Sequence, residues 1–259
     1  MKKLIWQVVL IFTFLLNAEC ASTTRHKGTN LLSDDEASVF FKKFLQNRNR
    51  SDFMLKFKVE SSSKQTPSAS GKGVILHHKV EGEENYYVEI KDKAGNYRKF
   101  LLKNGQTLAN FTETFNSNEP FISGTLYSPN DLLLPFLEPN CSSKYCGSKK
   151  VCGRIAQQFL VKVKDNTLKA NVKYVKMSID NVFFQPLEIE YLGSKHEMLS
   201  RQRVLSLRKQ DDSWEPKTVE IFNAITRERA KITIVKSDFN AEFEDSLFEL
   251  GFLQKTSAQ

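Results

Sequence analysis

The apolar positions change period along this chain, and the changes mark its elements. From Ser33 to about Asn47 they fall at helical spacing, with Ala37, Phe40, Phe41, Phe44 and Leu45 on one face. Ser33 and Glu36 form a capping box, and Asp34 and Asp35 suit the positive end of the helix dipole. From Phe53 the period falls to two: Phe53, Leu55, Phe57 and Val59 alternate with polar neighbours, as in a half-buried strand. Val74–Val80, Tyr86–Ile90, Tyr97–Leu102 and Thr107–Phe111 continue as strands, punctuated by Gly82, Ala94-Gly95-Asn96 and the hairpin signal Asn104-Gly105. A second helix is expected from Ser128, with Pro129 at its first position, Asp131 completing a capping box and Pro135 ending or bending it. Its residues Leu132, Leu133, Leu134, Phe136 and Leu137 are apolar almost all round, so it should be buried on most sides.

Beyond a loop containing cysteines, six more strands are expected at Ala156–Val163, Val172–Ile179, Leu187–Leu192, Met198–Leu207, Trp214–Phe222 and Lys231–Val235. The expected fold class is mainly β (α+β): a curved antiparallel half-barrel of about eleven strands with helices packed on the concave side. A closed barrel is the alternative. No Pro-rich linker divides the chain, so residues 33–253 read as a single domain, followed by a tail at 254–259.

The first residues change the picture by adding a destination. Lys2 and Lys3 precede an apolar run from Leu4 to Leu16, and small or polar residues follow. Residues 1–19 therefore read as a secretory signal peptide, too short in its apolar run to span a bilayer as a helix of ~20 residues. Residues 20–32 read as a flexible segment. Cys20 stands where a bacterial lipoprotein carries its acylated cysteine, although the residue before it, Glu19, is not small. Export permits disulfides. Cys141, Cys146 and Cys152 cluster in one loop and the strand after it, where Cys141–Cys146 or Cys146–Cys152 would close a short loop, and the pairing stays open. Zinc is disfavoured because there is no C-x-x-C pair and no nearby His. The formal net charge is +8, but the basic residues are dispersed among Asp and Glu. That pattern reads as a solvated surface, with attraction to anionic lipid headgroups as a weaker reading and no nucleic-acid partner.

Catalytic patterns are missing. There is no G-x-S-x-G elbow, no phosphate-cradling glycine loop and no H-E-x-x-H. His77 and His78 are adjacent on a strand and face opposite ways, so they do not share a metal. The positive signal is apolar. The chain has 20 Phe, enough either to pack a core fully or to line a cavity completed by a guest hydrocarbon. Burying such a chain returns about 0.8 kcal/mol per methylene.

The order of short signatures separates the two. Val151-Cys152-Gly153-Arg154 opens one strand, and Lys173-Tyr174-Val175-Lys176-Met177-Ser178-Ile179-Asp180 forms another. Pro186-Leu187-Glu188-Ile189-Glu190-Tyr191, Trp214-Glu215-Pro216-Lys217 and Phe243-Glu244-Asp245-Ser246-Leu247-Phe248 follow, and Gly124-Thr125-Leu126-Tyr127-Ser128-Pro129-Asn130-Asp131-Leu132 lies upstream. This series resembles the LolA-like outer-membrane lipoprotein-sorting carriers. The likeness covers residues 33–253 and is firmest over 120–250. It implies an open, curved antiparallel sheet with a helical lid, binding lipoprotein acyl chains or another lipid between sheet and lid in the periplasm. It implies a non-enzymatic monomer without cofactors, working with a membrane-bound delivery partner. The cysteine loop departs from that pattern. On this reading the inward, lipid-facing residues include Phe57, Phe100, Leu133, Phe136 and Tyr174. The alternative is a structural or scaffolding envelope protein with a filled core.

Overall fold

The computed structural model describes residues 31–47, 52–62, 68–80, 83–103, 106–110, 113–137, 141–164, 168, 171–210, 213–239 and 241–249. The expected signal peptide, Cys20, the Asn104-Gly105 turn and the tail at 254–259 lie outside them. Among the described residues thirteen antiparallel strands form one sheet: β1 (Phe53–Ser62), β2 (Ser70–Val80), β3 (Glu83–Asp92), β4 (Tyr97–Lys103), β5 (Gln106–Ala109), β6 (Glu113–Thr114), β7 (Ser143–Val151), β8 (Arg154–Lys162), β9 (Tyr174–Asp180), β10 (Pro186–Leu192), β11 (Met198–Gln210), β12 (Ser213–Asn223) and β13 (Arg229–Asp238).

Their spatial order is β6-β5-β4-β3-β2-β1-β13-β12-β11-β10-β9-β8-β7. Two meanders therefore meet where β1 pairs with β13, from Met54 opposite Asp238 to Ser62 opposite Arg229. The sheet stays open, with β6 and β7 as its edges. Between them the chain must travel from one edge to the other. Residues 115–137 run over one face of the sheet, which their apolar side chains cover.

Eleven of the strands are those the alternation predicts. The other two are β6, only two residues long, and β7, which the sequence presents as a cysteine loop. Ser143–Val151 carries three lysines and Gly147 in place of β-branched residues. A lysine-rich edge strand of this kind resists pairing with foreign chains, and the same composition hides it from a hydrophobic pattern.

Strand register defines the covered face. Phe57 lies opposite Gly73, Gly73 opposite Ile90, Ile75 opposite Val88 and Val88 opposite Phe100. Gly73 is required here, because a Cβ would fall 2.3 Å from the carbonyl oxygen of Glu89 and 2.9 Å from the Phe57 ring. Gly71 likewise admits Ile122 of the crossing segment, whose Cδ1 would meet a Cβ at 2.4 Å.

The first helix, α1 (Asp34–Asn47), packs Ala37, Phe40, Phe41 and Phe44 onto the β8–β10 half of that face. Its capping box forms as expected: Glu36 Oε2 accepts from the Ser33 amide at 2.8 Å, and Ser33 Oγ accepts from the Glu36 amide at 3.4 Å. The second helix, α2 (Pro129–Leu133), is shorter than its apolar run predicts. Leu134 ends it in the left-handed region at φ 47°, consistent with the exclusion of a right-handed helical residue before Pro135. Asp131 Oδ2 accepts from both the amide (2.8 Å) and the hydroxyl (2.7 Å) of Ser128.

The outer face of β2–β4 is covered by the C-terminal segment, where the 3-10 turn Asp245–Phe248 buries Phe248 against Tyr87 and Leu101. His78 pins that segment. Its Nδ1 meets Asp52, and its Nε2 lies 2.7 Å from Asp245 Oδ1. Burial lowers the His78 pKa, but the hydrogen bonds and charges of Asp245 and Asp52 outweigh it and the pKa is raised. A raised folded pKa means the clip contributes fully below the unfolded histidine value of about 6.5 and is lost as pH rises through the folded value. Amide protection factors over residues 241–249 should therefore fall between pH 6 and pH 9, and the fall should vanish in His78→Gln.

Candidate functional site

The covered, concave face is filled unevenly. Over β1–β5 it is packed solid. Phe57 meets Tyr127 edge-on at 5.7 Å, Tyr127 meets Phe121 at 5.3 Å, and Phe121 meets Phe100 at 4.9 Å. Phe57 and Phe100 are 2 % and 0 % exposed, so the crossing segment supplies the contents of this half.

Over β7–β12 two openings lie among the described residues. One is a small chamber of about 70 Å³ beneath α2. Its walls mix apolar Leu126, Leu168, Val172 and Ile221 with polar Asn118, Ser128, Asn130, Asp131, Ser200 and Asn223. Gln202 spans it, donating to Asp131 Oδ1 at 2.5 Å and to the Tyr191 hydroxyl at 3.2 Å. Burial and the Asp131 carboxylate hold the Tyr191 phenol well above its ordinary pKa, so it stays protonated and able to donate. Gln202 thereby ties α2 to the sheet.

The larger opening is a cleft of about 690 Å³ between α1 and the edge strand β7, within the size range of small-molecule sites. Its floor is Ala37, Phe41, Leu45, Tyr145 and Phe159, with Cys141 beside them; its mouth carries Asp34, Ser38, Lys42, Ser142, Ser143 and Lys144. Phe159 organises the floor, lying 4.9 Å from the Phe41 ring, 5.8 Å from Phe40 and 5.5 Å from Tyr145. Tyr145 moors the start of the helix: its hydroxyl accepts from the Leu32 amide at 3.2 Å and donates to Gln157 Oε1 at 2.6 Å. The helix, held by aromatic contacts beside the edge strand, forms one wall of the cleft. The arrangement is an apolar floor beneath a polar mouth that carries two ammonium groups and the Asp34 carboxylate.

None of the five sequence-proposed lipid-facing residues lines either opening. Phe57 and Phe100 belong to the filled half. Leu133 packs beside that half, and Phe136 sits in the other, edge-on to Tyr191 at 6.1 Å. Tyr174 is a correction. Val175, Met177 and Ile179 take the concave face, so alternation along β9 turns Tyr174 to the outer face, where it stacks on His196 at 4.4 Å. The residues of the cleft were visible in part, since Phe41 and Leu45 belong to the apolar stripe of α1. Their partners were hidden because β7 was not legible as a strand.

The cysteines are spread by the same strand. Cys146 lies in β7, and Cys152 is in the turn joining it to β8. Several extended residues at ~3.3 Å each separate them, well beyond the ~7 Å Cα reach of a disulfide. Their thiols donate instead to the carbonyls of Lys144 (3.4 Å) and Leu205 (3.3 Å). Cys141 packs at the border of the α1 core. Among the described residues no group of His, Cys, Asp and Glu could hold a metal ion, and no helix is long and apolar enough to cross a membrane.

The short signatures acquire a common purpose. Cys152 (φ 49°) and Gly153 (φ 81°) form the two-residue turn between Val151 and Arg154, where both central residues need positive φ. Arg154 then reaches Asp180 at the far end of β9, with Nε on Oδ2 and Nη2 3.1 Å from Oδ1. Asp180 Oδ1 also accepts from the amides of Val182 (2.8 Å) and Phe183 (2.9 Å), closing the β9–β10 turn.

No known protein family matches the sequence. No curated protein matches it either. Solved structures do match in fold. A domain from Vibrio parahaemolyticus described as an outer membrane lipoprotein-sorting protein superposes with a TM-score of 0.62 at 14 % identity, covering 83 % of this chain and 97 % of that one. A LolA superfamily protein from Nitrosomonas europaea gives 0.60 at 10 % identity over 82 % and 96 %. A DUF1329 family protein from Desulfovibrio piger gives 0.61 at 12 % identity over 86 % and 100 %.

Proposed function

Taking as premise that this chain has the LolA-like fold, we propose that it is an exported carrier or acceptor that holds a hydrocarbon chain between α1 and β7 and performs no covalent chemistry. The observation that carries this reading is the cleft of about 690 Å³ with its aromatic floor at the open edge of the half-barrel. Ten or so buried methylenes would return ~8 kcal/mol before the costs of association, sufficient without any specific polar contact. The ammonium groups of Lys42 and Lys144 at the mouth suit the anionic or ester end of the guest. The acyl chains of lipoproteins are the guests that the fold neighbours suggest, and the periplasm is the compartment, reached by the signal peptide with or without acylation of Cys20. A membrane-bound partner would receive the cargo.

A second reading, an envelope scaffold, is favoured by the solid packing of the Phe57–Tyr127–Phe121–Phe100 half. Mass spectrometry after organic extraction of the natively purified protein separates the two, since a carrier yields acyl-bearing ligand. In a direct titration with a fluorescent fatty-acid probe, Leu45→Glu should weaken binding about tenfold or more, because it places a charge on the apolar floor. Leu45 is only half-buried, so stability should change by less than ~1.5 kcal/mol. A wild-type protein that carries no lipid and ignores the probe would favour the scaffold.

A further inference from the structure

Lysines that are dispersed along the sequence are brought together on the outer face of the sheet. Phe57 and Val59 of β1, Ile75 of β2, and Val88 and Ile90 of β3 take the concave face. Alternation therefore turns Lys56, Lys58, Lys72 and Lys91 outward, and all four are exposed. Lys58 lies directly opposite Lys72, Lys72 directly opposite Lys91, and Lys56 directly opposite Lys236 of β13. Like charges placed opposite one another destabilise a sheet. On an edge strand such as β7, lysines guard against foreign pairing, but β1, β2, β3 and β13 are all interior. The register gives the fold nothing in return, so it points to a partner outside the fold.

Few carboxylates answer these ammonium groups. Lys56, Lys58, Lys72, Lys91, Lys231 and Lys236 are exposed, and none has an ion-pair partner among the described residues. Glu60 is exposed opposite Lys231. Glu89 is half-buried and accepts from the Tyr87 hydroxyl. Asp92 accepts from the Asn96 amide at 2.8 Å, and Glu220 is held by Arg201 and Arg229. The sequence between β1 and β2, residues 63–67, adds Lys64 and no acid. The C-terminal segment carries Glu242, Glu244, Asp245 and Glu249, but it lies over the other end of these strands. Asp245 meets His78, ~20 Å along β2 from Lys72, and Phe248 packs on Tyr87, ~13 Å along β3 from Lys91. Both separations exceed the screening length of ~8 Å at physiological ionic strength.

The residue types select the partner. The six cations are all lysines. An arginine fork suits one fixed anion, whereas lysine is a point charge on a flexible stem and suits phosphates that move laterally. Tyr97, 52 % exposed, lies opposite Lys91 at the end of the row, and tyrosine favours the membrane–water interface. Anionic leaflets attract polybasic surfaces of this kind.

We propose that the outer face of β1–β3 and β13, centred on Lys72, docks the protein on an anionic lipid bilayer. This surface is on the opposite side of the sheet from the α1–β7 cleft and does not depend on whether the cleft holds lipid. An unacylated protein starting at residue 20 keeps every described element. It should co-sediment with mixed phosphatidylcholine–phosphatidylglycerol vesicles and not with phosphatidylcholine alone, and added salt should release it. Lys72→Glu should cut retention about tenfold or more. Its thermal midpoint should not fall, because two like-charge pairs become opposite-charge pairs, so lost retention cannot come from unfolding. Lys162→Glu makes the same change in net charge on the outer side of β8 and should leave retention within about twofold. Fatty-acid probe binding should be unchanged in both variants. Equal retention on both vesicle types, no retention on anionic vesicles, or equal losses in Lys72→Glu and Lys162→Glu would overturn the proposal. So would binding to soluble polyphosphate without binding to vesicles, which would assign the lysines to a polyanion in solution.

Discussion

Asp180→Ala is expected to destabilise the protein by about 3–5 kcal/mol, the cost of breaking a buried ion pair from one side. The Asp180 side chain is 2 % exposed and Arg154 23 %, so the guanidinium would be left largely desolvated without its acceptor. Two turn amides, of Val182 and Phe183, would lose theirs as well. For a domain of this size the thermal midpoint should drop by roughly 6–20 °C. Asp180→Asn keeps an oxygen for the turn and should cost less. Arg154→Ala should cost as much as Asp180→Ala, because it strands the buried carboxylate. The Arg154→Ala/Asp180→Ala double variant should be far less damaging than the sum of the two. Denaturant melts of the four proteins measure this directly, and additive losses would show that the two groups act independently.

Phe159→Ala is the second large effect, and it should couple stability to ligand binding. Phe159 is 1 % exposed and packs against Phe40, Phe41 and Tyr145, so truncation should cost about 3–5 kcal/mol. The loss removes the contacts that hold α1 over β8, so α1 amides should exchange faster. It also removes a third wall from the cleft, so the fatty-acid probe should bind about tenfold more weakly or worse. Phe100→Ala is the matched control. Phe100 is fully buried between Phe115 and Phe121 in the filled half, and its loss should cost a similar amount of stability. Probe affinity should be unaffected, because nothing of Phe100 lines the cleft. Equal losses of probe affinity in both variants would mean that binding follows global stability and that the cleft is not the site.

The half-barrel fold was legible in the sequence as a class, and where its concave face stays open was not. Phe57 and Phe100 are inward-facing as their alternation implies. Whether an inward residue meets a ligand or another part of the chain depends on what crosses the concave face, and residues 115–137 do so unevenly. They bring Phe121, Ile122 and Tyr127 onto β1–β5 and leave the slot beside α1 open. Tyr174 failed for a simpler reason. An aromatic residue at the end of a strand is assigned a face only by its neighbours, and Val175, Met177 and Ile179 claim the concave one.

The sequence alone determined what depends on neighbours along the chain. Helical and strand periods located α1 and eleven strands, and Ser33 and Glu36 placed a cap, because these choices involve residues within one helical turn or one strand. Tertiary structure decided what depends on residues far apart. It made a strand of lysine-rich β7 by pairing it with β8, since backbone hydrogen bonds to a partner do not require apolar side chains. It brought Arg154 to Asp180 and set Lys42 and Lys144 at the mouth of one cleft from elements a hundred residues apart.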